Sequence, residues 1–221
     1  MIIGALMKAE PARRHARWVR IAHAVAAIAV LMLVVSGIEI LMVHPRLYWG
    51  DAGNDLTPAL VELPISRNFK HGGWSAPLAF SERTTGPFSA SRTYDIFNQN
   101  GWGRSLHFLA AWCLVVPGVI YVAVGLSEGH FRWRAYGSLQ RSAYRVVVFA
   151  LAPLMLATGL TMSPAVTAAA PPLLHFFGGY QSARTIHFAA FLALMVFVAG
   201  HVLMVARSGF TRQVKAITIG E

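Results

Sequence analysis

The sequence predicts an all-α membrane protein: a four-helix transmembrane bundle with a long, ordered extracytoplasmic loop between helices 1 and 2. Three observations predict it. Four apolar runs divide the chain, each long enough to cross a hydrocarbon layer of ~30 Å. Hydrophobic residues make up 56% of the 221 and charged residues only 13%, a balance outside that of soluble domains. The basic residues behind the formal net charge of +10 flank the apolar runs and form no single polar face, which is membrane topology and not a nucleic-acid footprint.

The elements follow in order along a single domain, 1–221. Residues 1–17 carry Lys8, Arg13, Arg14 and Arg17 and read as a cytoplasmic arm. Met1–Met7 is too short for a signal-peptide core, so the first span, about 18–43, is expected to act as an uncleaved anchor. It holds His23 near its start and Glu39 near its end. Residues 44–102 are interrupted by proline and glycine and rich in aromatics, including Tyr48, Trp49, Trp74, Tyr94 and Trp102. A loop of this length is expected to be functional or disordered, and its aromatic content argues for order. We read it as a cap with one or two short helices, such as Pro58–Leu63 and Tyr94–Asn98, and as the place where a partner docks. The second span, about 103–126, has His107 one turn in and Pro117 bending it. A basic connector with Arg132, Arg134 and Arg141 leads to the third span, about 143–163, which contains Arg145 and Pro153 but no histidine. A connector with Pro171, Pro172, Gly178 and Gly179 precedes the fourth span, about 184–206, and 208–221 reads as a short polar tail. No internal repeat stands out.

Charge sets the orientation. The N-terminal arm through Arg20, the 127–145 connector and the tail from Arg207 together carry 12 Lys and Arg. Residues 164–183 carry none, and the 44–102 loop mixes five basic with five acidic residues. The positive-inside rule therefore predicts cytoplasmic N- and C-termini and an external long loop.

Within the fourth span His187 and His201 are 14 residues apart. At 100° per residue they fall about 40° from the same direction, roughly 21 Å apart along the axis. Ionisable groups in a membrane helix are costly and face the bundle interior. With the orientation above, His23 and His201 lie at the cytoplasmic level, His107 and His187 at the outer level. A bis-histidine haem needs one ligand from each of two facing helices at one depth, so two stacked haems, each held as haem b by one level pair, are the expectation. A covalent haem site of the C-x-x-C-H type is excluded, because Cys113 is the sole cysteine.

Three of these histidines sit in an R-x-x-H pattern: Arg20 with His23, Arg104 with His107, Arg184 with His187. Each arginine lies one turn nearer the interface, where two readings stand, contact with an anionic haem propionate or ordinary snorkelling to the headgroups. The outer pair, Arg104 and Arg184, favours the propionate. Gly37, 14 residues after His23, and Gly118, 11 after His107, share the faces of those histidines at the depth of the opposite haem. They would admit a porphyrin close to the backbone or simply a neighbouring helix. Glu39 could relay quinone protons or be an interfacial carboxylate. His15, His44, His71, His130 and His175 read as solvated or structural, and Met155, Met162, Met195 and Met204 as packing.

Four helices, with histidines on helices 1, 2 and 4 and an H-x13-H pair on the last, resemble the prokaryotic di-haem cytochrome b-561 family. That group includes the membrane b-type subunits of Ni/Fe-hydrogenase, formate dehydrogenase and thiosulfate reductase type complexes. The resemblance covers roughly residues 15–207. It implies that His23 and His201 ligate an inner haem, and His107 and His187 an outer one, in a bacterial inner membrane. It also implies electron exchange between the quinone pool, ubiquinone or menaquinone, and a partner outside the membrane. The loop segments His44-Pro45-Arg46-Leu47-Tyr48-Trp49-Gly50 and Arg92-Thr93-Tyr94-Asp95-Ile96-Phe97-Asn98 look like the subset that accompanies periplasmic molybdopterin oxidoreductases. Two alternatives come from other classes. A stand-alone superoxide:quinone oxidoreductase would not need residues 44–102, and a haem-free proton or metal transporter would show no haem spectrum.

Overall fold

The computed structural model describes residues 17–54, 57–65, 100–127 and 138–220. Four helices in it are long and apolar enough to cross a membrane: Arg17–Val43, Gly101–Ser127, Gln140–Thr161 and Tyr180–Arg207. The chain is an all-α, multi-pass membrane protein. Its outward-facing side chains include Ile28, Leu31, Val119, Leu126 and Val196, whereas the fully buried ones include Ser36, Ala110, Thr158, Thr161 and Ser182. Large apolar groups outside and small or hydroxyl groups between helices suit a hydrocarbon solvent, in which close packing and internal hydrogen bonds hold helices together.

Helices α1 (Arg17–Val43) and α2 (Asn100–Ser127) pack along one another as a hairpin. The third span is continuous but has three parts: α3 (Ser138–Val146), a π turn (Val147–Leu151) and α4 (Ala152–Thr161). Pro153 explains the middle part. Its ring has no N–H to donate and would crowd the carbonyl four residues back, and an extra residue in the turn relieves both problems. The backbone N–H of Ala152 accordingly reaches Val147 O, five residues back. The fourth span, α7 (Tyr180–Arg207), packs against α4 as a second hairpin. Contact between the two hairpins is sparse. A gap between them runs along the bundle.

Several sequence expectations change. Pro58–Leu63 is not a helix. The N–H groups of Leu60 and Leu63 donate to Leu47 O at 2.8 Å and Pro45 O at 3.0 Å. This capture makes a two-stranded antiparallel ladder of β1 (Arg46–Leu47) and β2 (Val61–Glu62). The expected helix Tyr94–Asn98, the rest of the 44–102 cap from 66 to 99, the arm before Arg17 and residues 128–137 lie outside the described residues. The connector after the third span forms two short helices, α5 (Pro164–Ala169) and α6 (Pro172–Phe176).

The tail is not simply polar. Gly209, at φ 98°, ends α7 and turns the chain into α8 (Phe210–Thr218). Val214, Ala216 and Ile217 are covered while Arg212 and Lys215 are exposed, with α8 packed on α1 and α7. Its apolar positions recur at helical spacing, which a composition-level reading overlooks.

At the opposite end, the segment after α1 is stitched to the start of α7. Gly50 O accepts from Gln181 N at 2.9 Å and Ser182 N at 3.2 Å. Asp51 Oδ1 accepts from Tyr180 N at 3.2 Å. The loop thereby satisfies N–H groups that a helix start leaves without partners. Gly179, at φ 109°, has no alternative here: a Cβ would stand 2.6 Å from the carbonyl carbon of Gly50.

Candidate functional site

The four intramembrane histidines meet in two pairs across the gap between the hairpins. His23 on α1 faces His201 on α7 with ring centroids 6.4 Å apart, at the end that carries α8. His107 on α2 faces His187 on α7 at 6.3 Å, at the end that carries the β1–β2 loop. Two imidazoles on opposite sides of one metal, with bonds of about 2 Å and ring centroids roughly 1.1 Å behind each nitrogen, stand about 6.3 Å apart. Direct ring stacking would bring them closer. The spacing fits a metal between each pair of rings.

Three of the rings are oriented by hydroxyl groups on neighbouring helices. Ser36 Oγ lies 3.0 Å from His107 Nδ1, Thr158 Oγ1 2.9 Å from His187 Nδ1, and Tyr144 OH 3.1 Å from His201 Nδ1. Occupying Nδ1 leaves Nε2 as the ligating nitrogen, the usual arrangement when a second group fixes the tautomer. His201 also lies beside Phe197, whose ring is nearly parallel to it at 6.3 Å, and beside the edge of Tyr144. Ser36, Tyr144 and Thr158 were not singled out in the sequence. For Ser36 and Thr158 the available signal was a hydroxyl residue followed by glycine at one depth in the first and third spans; Tyr144 carries no such signal.

The arginines divide between the two ends. At the loop end, Arg184 donates to His44 O, and to Gln181 Oε1 at 3.2 Å. His44 is open to solvent on one side and covered on the other. Partial burial pushes its pKa below the ordinary 6.5, and the positive charges of Arg184, Arg104 and Arg46 push the same way. Arg104 and Arg184 thus share one cationic region, to which Arg46 adds a third charge that sequence position alone did not assign to the site. At the other end, Arg20 Nη1 donates to Thr218 O at 3.5 Å, and its Nε is buried with no hydrogen-bond partner among the described residues. A buried donor of this kind suits an anionic group. Histidine pairs flanked by arginine at each end therefore fit a haem with its propionates toward the interface.

The glycines differ from one another. A Cβ on Gly37 would stand 3.6 Å from Cε1 of His107, so this glycine lies beside an outer ligand candidate. Gly159, not singled out in the sequence, has the same relation to His187 at 3.6 Å. Gly118 looks onto open space, with no atom within 4 Å of where a Cβ would be. Glu39 is 2% exposed and lies against Gly103 at the start of α2.

A family model described as prokaryotic cytochrome b561 matches residues 14–220. The putative protein-methionine-sulfoxide reductase subunit YedZ1 of Azospira oryzae is 27% identical over 221 aligned residues, covering 87% of this chain and 89% of the relative. No solved structure matches.

Proposed function

The chain belongs to the prokaryotic cytochrome b561 family, and on that premise we propose that it holds two haem b groups and carries electrons between the quinone pool and a periplasmic oxidoreductase. Membership makes it a membrane b-type cytochrome with an electron-transfer role. The observation that carries the two-haem reading is the pair of imidazole spacings, 6.4 Å and 6.3 Å, at two depths of one gap.

Bound haem b supplies reversible one-electron chemistry at its iron. The residues do the rest. His23 and His201 would hold the inner iron, and His107 and His187 the outer one. Arg104 and Arg184 would neutralise the outer propionates, and Arg20 the inner ones. Gly37 and Gly118 leave space for the porphyrins beside their helices. The apolar spans exclude water, so the charge of each site is set by the protein and not by solvent. Ubiquinone or menaquinone reaches the bundle from the surrounding lipid and exchanges protons with water at the interface. Both termini are cytoplasmic, because the basic flanks gather at their end, and the 44–102 loop is periplasmic.

The loop pattern supports a molybdopterin-type partner. The name of the Azospira relative points to a substrate class for that partner, methionine sulfoxide. One statement concerns the partner's cofactor and the other its substrate, so they are compatible.

Purified protein is expected to contain two b-type haems per chain, both removed by acid acetone and both reduced by a quinol analogue. A stoichiometry of one, or a haem that stays with the chain, overturns the reading.

A further inference from the structure

We propose that Ser36 and Thr158 are positioning residues for the outer haem, each fixing the tautomer and orientation of one axial histidine and together holding that haem's reduction potential down. The inference rests on the bis-histidine reading above.

Ser36 Oγ lies 2.7 Å from Met32 O and 3.0 Å from His107 Nδ1. A hydroxyl has one hydrogen, and donating it to the carbonyl leaves only lone pairs for the imidazole. His107 Nδ1 must then carry the hydrogen and donate it, leaving the Nε2 lone pair for the iron. Thr158 repeats the arrangement, with Oγ1 at 2.7 Å from Leu154 O and 2.9 Å from His187 Nδ1. Both residues are 0% exposed, so water does not compete for either bond.

The repetition extends beyond the two hydroxyls. Ser36 and Thr158 are each followed by a glycine, and each glycine stands in the same relation to Cε1 of the neighbouring histidine. Each of those histidines follows an arginine by three residues. The two hairpins thus present matched units, Ser36-Gly37 with Arg104 and His107, and Thr158-Gly159 with Arg184 and His187. The inner pair is built differently, since His201 Nδ1 faces the phenol of Tyr144. An imidazole N–H that donates to a fixed acceptor makes its ring a stronger electron donor to the metal, which favours the ferric state. Two such bonds on one iron act in the same direction.

The test is a potentiometric titration of the full-length haem-loaded protein, with the outer haem identified as the one lost in His187→Ala. Ser36→Ala and Thr158→Val are each expected to raise the outer midpoint by roughly threefold in the ferric–ferrous equilibrium, about 28 mV at 59 mV per decade. The inner midpoint should not move. Ser36→Thr and Thr158→Ser keep the hydroxyl and should restore the original value. Thr158→Ala replaces Thr158→Val if the latter fails to fold. Ferric electron paramagnetic resonance gives a second readout, because a freed ring plane turns and shifts the outer signal. Unchanged midpoints in the apolar variants, or equal shifts in the hydroxyl-retaining ones, overturn this inference alone. Unsubstituted protein that binds no haem at His107 and His187 overturns the underlying reading as well.

Discussion

The guanidinium of Arg184 donates to the backbone carbonyl of His44, tying the first turns of the fourth span to the residue that follows the first span. The same contact brings the charge of Arg184 to the His44 imidazole, where Arg104 and Arg46 add theirs. Burial and these three cations keep His44 neutral in the folded protein below the pH at which a free histidine would charge.

The sign of the pH dependence follows. Below the ordinary value of 6.5 the unfolded chain takes up a proton at His44 that the folded chain resists. The associated stability is present above that pH and is lost as pH falls toward the lowered folded value. Relative to His44→Gln, the parent protein should therefore lose melting temperature as pH falls below 6.5. Parallel curves for the two proteins over that range would refute the assignment.

His201→Ala should remove the inner haem and spare the outer one. His201 faces His23, whereas His107 and His187 form a separate pair at the other end of the gap. The measurement is haem content and the reduced absorbance spectrum, with about half the haem expected to remain. Loss of all haem from a folded protein would show that the two sites are not independent.

Ser182→Ala tests the stitching of the loop. Ser182 Oγ accepts from Gly50 N at 2.7 Å and donates to Gly178 O at 3.0 Å, and the residue is fully buried. Alanine leaves the N–H of Gly50 without that acceptor, at a cost of about 1–3 kcal/mol. Thermal unfolding in detergent should register the loss with haem content unchanged. A stability equal to that of the parent protein would mean another acceptor replaces the hydroxyl.

Deleting Pro64–Pro87 tests where a partner docks. Aromatic residues are enriched in interface cores, and residues 44–102 hold many of them. Both haem spectra and their reduction by quinol should survive, while electron transfer to the periplasmic partner falls. Partner-dependent turnover at the parental rate would remove the docking role from the cap and favour a stand-alone oxidoreductase.

Hydropathy and spacing determined the four spans and the levels of His23, His107, His187 and His201, because a helix that must satisfy its own backbone in lipid has a fixed rise per residue. Depth is then legible along one dimension, and the four level histidines followed from counting. What lies beside each histidine is not legible in that way. Ser36 is 71 residues from His107, and Thr158 is 29 from His187. Their contacts depend on how each helix is rotated and which helix packs beside it. Tertiary packing likewise decided that Gly159 stands beside His187, that Val61–Glu62 pairs with Arg46–Leu47, and that α8 folds back onto α1. In each case the deciding interaction joins elements distant in sequence, where local propensity carries no information about the neighbour.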